Sequence, residues 1–348
     1  NIEDLEIYKD QLTNRLDPTM SLMQGINAKV RKNPKRVIFA EGEDENMLKA
    51  AIEFGRNKLG TPILIGAEKR IKEQLSNIGL DENYKIQIVN STDKKKREKY
   101  VKHLYKRLQR EGQLERDVDR LVRNDRIAWG ASMIACKDAD AMVTGNIRHY
   151  AASIEKLKKV TDPRPGEEIF GMTMITLKGK TILVADTNVQ DFPSPERLVK
   201  VSKSCVRVAR LFGFDPKVAF LSHSTFGKPI SKNTKHVRDA IELLKKEEVN
   251  FDFDGEMQPD VALNPIYQEI YPFSKIVGNA NILIMPALHS AAISTKLMKV
   301  FGGGKLIGPL LIGLGSPIEV APLRATTSEI LNLASIAAYS SDVIDYNN

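Results

Sequence analysis

The sequence predicts an α/β protein of two domains, each a sheet flanked by helices. Three observations carry that expectation. Short apolar runs alternate with helical segments through the first part of the chain, which is the rhythm of βαβ units and a parallel sheet. At residues 172–186 the rhythm breaks: two apolar runs flank Lys178-Gly179-Lys180, a hairpin that announces a second domain with mixed strand directions. The length of 348 residues exceeds what one compact core sustains and fits two domains of ordinary size.

Taken in order, residues 1–33 read as a helical connector, with Leu5, Leu12 and Leu16 at helical spacing before Asp17-Pro18 starts a new helix. Strands are expected at 36–40, 62–65, 85–89 and 139–145, separated by helices at 46–58 and from Glu68. Residues 93–126 are dense in charge with Tyr100, Leu104, Leu108 and Val118 periodic, the pattern of one or two surface helices. Beyond the hairpin come a helix at 194–211, a strand at 218–221, a helix from 231 through 246, a strand within 250–258, a strand at 282–285 and a helix at 290–301. The bend Gly302-Gly303-Gly304 leads into an apolar stretch at 306–315, and a helix at 327–339 closes the chain. The expected division is therefore a connector at 1–33, a first α/β domain from 34–165 and 306–348, and a second from 166–305. Both crossovers would line a cleft between the domains.

Composition excludes several classes. With 42% hydrophobic and 28% charged residues the chain resembles a soluble globular protein, and no apolar run reaches the roughly twenty residues of a membrane span. Cys136 and Cys205 are the two cysteines, which points to a reducing, cytoplasmic setting rather than a disulfide frame or a cysteine-built metal site. The net charge of +8 is spread over helices rather than gathered in an arm, so nucleic acid is not expected as a partner, whereas a basic pocket for an anionic ligand fits the sign. The first residue is Asn1 and no signal or transit segment is visible, so the chain reads as a piece of something longer or as a processed product.

The stretch at 218–228, VAFLSHSTFGK, is the first candidate site. An apolar run ends in Ser222, Ser224 and Thr225, then Gly227 and Lys228, and the end of a strand is where open α/β sheets bind ligands. Hydroxyls, amides and one ammonium so close together suit a phosphate or an acyl carbonyl, with the following helix supplying its N-terminus; an ordinary polar turn is the competing reading. The glycine spacing is not that of a P-loop, and no nucleophile elbow surrounds the serines. Asp252, Asp254 and Glu256 would share one face of a strand, yet without a nearby histidine or a calcium-loop spacing a structural or orienting role is favoured over a metal. His103, His149, His223, His236 and His289 show no paired metal motif, and only His223 and His289 fall at expected strand ends. No GxGxxG follows a strand, which argues against a nicotinamide site. Arg324 is expected at the start of the last helix, a place suited to an anion.

Together VIFAEGED, ADAMVTG, VAFLSHSTFGK, DFDGEMQPDVAL, NILIMPAL and IGPLLIGLGSPIEVAPLRATTSEI resemble the phosphate acetyltransferase family, from about residue 33 to the end. The lead LEIYKDQLTNRLDPT is similar to the stretch that joins the catalytic half of large bacterial malic enzymes to an appended phosphate-acetyltransferase-like half. The resemblance implies two α/β domains, as in the isocitrate and isopropylmalate dehydrogenase-like folds, a homodimer or higher oligomer, and coenzyme A or acetyl-coenzyme A held in the cleft. It also implies a malic enzyme catalytic domain as partner, with NADP and a divalent metal confined to that absent half.

In the active family the thiol of coenzyme A attacks acetyl phosphate directly, so a carboxylate base, an anion-binding arginine and carbonyl-polarising donors suffice. The family's terminal motif has a serine, an arginine and, six residues further, the aspartate taken as base. Here those positions hold Leu323, Arg324 and Ile330. Glu329 adjoins Ile330, but one helical residue turns a side chain by about 100 degrees. A second family arginine falls at Glu155. Losing a base typically costs about 100-fold to 10,000-fold in rate. The resemblance thus implies a chain that keeps the acyl-coenzyme A site through Ser224, Thr225, Gly227, Lys228 and Arg324, has lost the chemistry, and senses acetyl-coenzyme A to regulate the malic half. An active phosphate acetyltransferase using Glu329 or another carboxylate is the alternative, and a ligand-free scaffold a third.

Overall fold

A computed structural model describes residues 18–79, 86–177, 179–185, 192–229, 234–303, 305–344 and 346. Leu5, Leu12 and Leu16 of the expected connector lie outside the described residues. The strands, in order, are β1 (Lys35–Phe39), β2 (Gly60–Ile65), β3 (Gln87–Val89), β4 (Ala141–Gly145), β5 (Phe170–Leu177), β6 (Lys180–Ala185), β7 (Lys217–Leu221), β8 (Asp252–Met257), β9 (Ile282–Ile284), β10 (Lys305–Ile312) and β11 (Ile318–Ala321). They form two sheets in two compact units. One unit comprises Met23–Pro165 and the chain from Leu314; the other comprises Gly166–Gly313 with the described residues before Met23.

The first of these is the parallel unit, its strands ordered β11-β4-β1-β2-β3 with every neighbouring pair parallel. Such strands are covered on both faces, which is why β1 and β4 read as continuous apolar runs: Val37, Ile38, Phe39, Ala141, Met142 and Val143 are all fully buried. The helix Glu45–Arg56 is capped by Asp44, whose carboxylate accepts from the Met47 amide, and it turns Met47, Leu48, Ala51 and Phe54 inward. The charged stretch from 93 resolves into Lys94–Leu108 and Glu115–Asn124, and a further buried helix, Arg126–Ala135, follows under the cap of Asp125.

The second is the mixed unit, ordered β10-β5-β6-β9-β7-β8. β5 and β6 form the antiparallel hairpin, while β6, β9, β7 and β8 run parallel. Its core gathers Ile175, Val184, Leu221, Met257, Leu283 and Met285.

The structure corrects the expected division at two points. Residues 306–313 do not return to the first domain: β10 pairs antiparallel with β5, Leu306 opposite Ile175 and Leu311 opposite Gly171. The return is made by β11, which pairs with β4. β10 is a sheet edge, irregular between Ile307 and Leu310, where Pro309 is tolerated because it donates nothing to a ladder; β11 is likewise the edge of its own sheet. At the other end the division falls within the helix Pro18–Lys32 rather than after residue 33. There the Thr19 hydroxyl donates to Thr176 of β5, whereas Lys29 reaches the Tyr339 hydroxyl at 3.1 Å.

Candidate functional site

In the mixed unit the residues beyond β7 wrap around one carboxylate. Glu256, 1% exposed, accepts from the Ser224 hydroxyl at 2.9 Å, the Gly227 amide at 3.0 Å and Arg238 at 3.3 Å. Its backbone oxygen accepts from the Phe226 amide at 2.8 Å. The Thr225 hydroxyl oxygen accepts from the Gln258 amide at 3.2 Å, and the Gln258 side chain donates to the His223 carbonyl at 2.7 Å. Gly227 has a φ of +88°, a conformation suited to glycine, and this brings its N–H onto Glu256. The loop is therefore built by turning its polar groups inward.

Within the expected cradle several polar groups are thus already engaged. Ser224 and Thr225 are buried, the Ser224 hydroxyl and the Gly227 amide are spent on Glu256, and Lys228 is the exposed cation of the group. The acid trio of β8 is corrected. The register of β8 against β7 shifts between Phe220 and Leu221, so Glu256 turns into the interior while Asp252 stays exposed and Asp254 accepts from the Gly255 and Lys275 amides. Among the described residues no three histidine, cysteine or acidic side chains are grouped to hold a metal.

The parallel unit carries a second constellation, at the carboxyl ends of β1, β4 and β11. Strand order reverses at β1, with β2 and β3 to one side and β4 and β11 to the other, and open α/β sheets bind ligands at such a switch. Glu41, two residues past β1 and fully buried, accepts from the Thr144 hydroxyl at 3.0 Å and the Gly145 amide at 3.0 Å, both on β4. Arg148 stands 3.8 Å from the same carboxylate, beyond hydrogen-bond range. Burial pushes the Glu41 carboxyl up to about 7, and Arg148, Thr144, Gly145 and Arg126 only partly offset it. Glu43 differs: burial pushes it upward as well, but the Ala67 amide and Arg126 pull harder and the net shift is downward.

Arg324 belongs to this edge. It lies two residues before the helix cap Thr326, not at the helix start as expected, with a φ of +60°, and its amide donates to the Asn146 carbonyl at 2.9 Å. Asn146 itself has a φ of +63°. Gly145 holds β4 and β11 close: a Cβ there would meet the Ala321 oxygen at 2.3 Å. Leu323 is exposed, whereas Ile330 is fully buried in the following helix, Thr327–Val343. Glu329 is drawn back into a capping box: its carboxylate accepts from the Thr326 amide at 2.9 Å and from the Thr326 hydroxyl at 3.0 Å. Glu155 is exposed on the helix Tyr150–Val160.

Of the five ligand candidates the structure thus groups Ser224, Thr225, Gly227 and Lys228 on one loop, and sets Arg324 on the sheet edge of the parallel unit. Glu41 and Arg148 were not singled out from sequence, and Glu256 was weighed only as one of the acid trio of 252, 254 and 256. A charged residue directly after an apolar strand run, as Glu41 follows residues 37–40, is the signal that marks the first of them.

The family described as phosphate acetyl/butaryl transferase matches residues 21–338. An NADP-dependent malic enzyme from Rhizobium meliloti is 44% identical over 340 residues, which cover 97% of this chain and 45% of that protein. The chain thus spans about half the length of the malic enzymes it matches. A phosphate acetyltransferase from Clostridium acetobutylicum is 29% identical and is covered over 97% of its length. Among solved structures, a phosphotransacetylase from Streptococcus pyogenes superposes with a TM-score of 0.84 at 27% identity, covering 93% of this chain and 99% of that one.

Proposed function

The chain belongs to the phosphate acetyl/butaryl transferase family, and we propose that it is the phosphate-acetyltransferase-like part of a malic enzyme that binds acetyl-coenzyme A without transferring its acetyl group. The observation that carries this reading is the head of the helix Thr327–Val343. Ile330 is a fully buried hydrocarbon, and the carboxylate of its neighbour Glu329 is committed to the Thr326 cap. A general base must reach the proton it removes, and neither side chain is disposed to do so. The malic enzymes among the relatives supply the regulatory half of the proposal: acetyl-coenzyme A would bind one conformational state in preference and so bias malate oxidative decarboxylation in the remainder of the protein. Assembly into oligomers is part of the same reading. The helix Leu288–Gly302 sets Ile293, Leu297, Val300 and Phe301 outward along one face, a stripe that suits a partner surface.

The alternative is an active phosphate acetyltransferase, favoured by the retention of Arg324 and by the relatives of that name. Two measurements separate the readings. Titration calorimetry with acetyl-coenzyme A is expected to show saturable heat, and its absence removes the receptor. Assay of acetyl phosphate formed from acetyl-coenzyme A and phosphate is expected to show no turnover above background; an ordinary enzymatic rate establishes the alternative.

A further inference from the structure

We propose that Arg148 is the anion-binding residue of the parallel unit, placed to receive a phosphate group that competes with Glu41 for its guanidinium; this rests on the ligand-receptor reading above. Arg148 sits between β4 and the helix Tyr150–Val160, on the edge where strand order reverses. Its nearest carboxylate, Glu41, is 3.8 Å from Nη2 and already accepts two shorter bonds from Thr144 and Gly145. Its Nη1 is buried with no hydrogen-bond partner among the described residues. A buried guanidinium nitrogen without an acceptor is costly, and an arginine meant only to neutralise Glu41 would close the remaining distance.

The surroundings select the ligand class. The Tyr150 hydroxyl, two residues on, is likewise buried with no partner among the described residues. The helix that begins there receives no side-chain cap from His149. Guanidinium and phenol offer hydrogen atoms and the helix start adds a favourable field; the buried Glu319 carboxylate near the phenol opposes them, and an acceptor-rich anion completes the set where an apolar group does not. Arg148 is about three quarters buried, and because Nη1 lies in the buried part a ligand meets the open quarter of the side chain first. The family arginine position at Glu155 carries an exposed carboxylate on the same helix, and Arg148 supplies the cation close to the sheet instead.

The test compares wild type, Arg148→Ala and Arg148→Lys by calorimetry with acetyl-coenzyme A, acetyl phosphate and inorganic phosphate, each variant first shown to keep the wild-type melting transition. Arg148→Ala is expected to weaken at least one of the three by about tenfold to a hundredfold, the worth of a charge-assisted pair, with Arg148→Lys intermediate. Loss confined to acetyl-coenzyme A assigns the group to that carrier, and loss confined to the other two assigns it to a free phosphate. Unchanged affinity of Arg148→Ala for acetyl-coenzyme A and both phosphates overturns the inference and leaves the receptor reading standing. Wild-type binding of phosphate that depends on Arg148, without binding of acetyl-coenzyme A, upholds the inference and removes the receptor. Failure of wild type to bind any of the three removes both.

Discussion

The two units use the same device and finish it differently. In each, a buried glutamate beyond or within a strand gathers the backbone of a neighbouring loop: Glu256 holds the 222–228 loop, and Glu41 holds the end of β4. Glu256 has a hydroxyl, an amide and the Arg238 guanidinium within hydrogen-bond reach, so its charge is answered where it lies. Glu41 has a hydroxyl and an amide, but its guanidinium stops at 3.8 Å and keeps one nitrogen unpartnered among the described residues. A closed network of this kind stabilises a loop, whereas an open one stores free energy that a ligand can release. The polar cluster that stands out in the sequence is therefore the better satisfied of the two, and the less conspicuous one has the chemistry left over.

The largest expected effect lies on the closed side. Glu256→Ala leaves the Ser224 hydroxyl, the Gly227 amide and Arg238 without their common acceptor, at a cost of about 3 to 5 kcal/mol, less whatever solvent recovers at the part-exposed arginine. Urea denaturation measures it; a loss under about 1 kcal/mol would mean that the network is decorative and the contrast with Glu41 unfounded.

On the open side the sign depends on pH. An acid whose pKa is raised on folding, here from 4.5 to about 7, is held most favourably while protonated. Its contribution is complete below pH 4.5, fades as pH rises to about 7 and then stays level, a change of roughly 3 kcal/mol. Glu41→Gln cannot titrate, so the stability difference between variant and wild type should shift in the variant's favour by that amount between pH 4.5 and pH 8. Parallel pH profiles for the two proteins would show that Arg148 already neutralises Glu41, and the contrast between the units would vanish.

The strands of the parallel unit were legible because burial on both faces leaves no polar alternation, so residues 37–39 and 141–143 could hardly belong elsewhere. The route back from the mixed unit was not, because 306–312 and 318–321 are two mainly apolar strands that each form the edge of a sheet, and neither sequence says which sheet it joins. The polar residues of the 222–228 loop were legible as a cluster but not in their direction. A serine reads the same whether it faces a ligand or a buried carboxylate, and Glu256 lies 32 residues beyond Ser224. Arg148 was illegible for the same reason: its significance is the distance to Glu41, a residue more than a hundred positions earlier.

The smallest effect bears on whether the head of the helix Thr327–Val343 hides a base or lacks one. Thr326→Ala removes the hydroxyl that accepts from the Glu329 amide at 3.3 Å and donates to its carboxylate, a loss of about 1 kcal/mol for a helix cap, readable as a small fall in melting temperature. The Glu329 carboxylate loses one of the bonds that hold it at the cap and keeps the Thr326 amide. If the cap were all that restrained a competent base, the variant would gain acetyl phosphate formation as it lost stability. On the proposed reading, in which the base belongs at position 330 and that position holds a buried isoleucine, stability should fall with no activity gained.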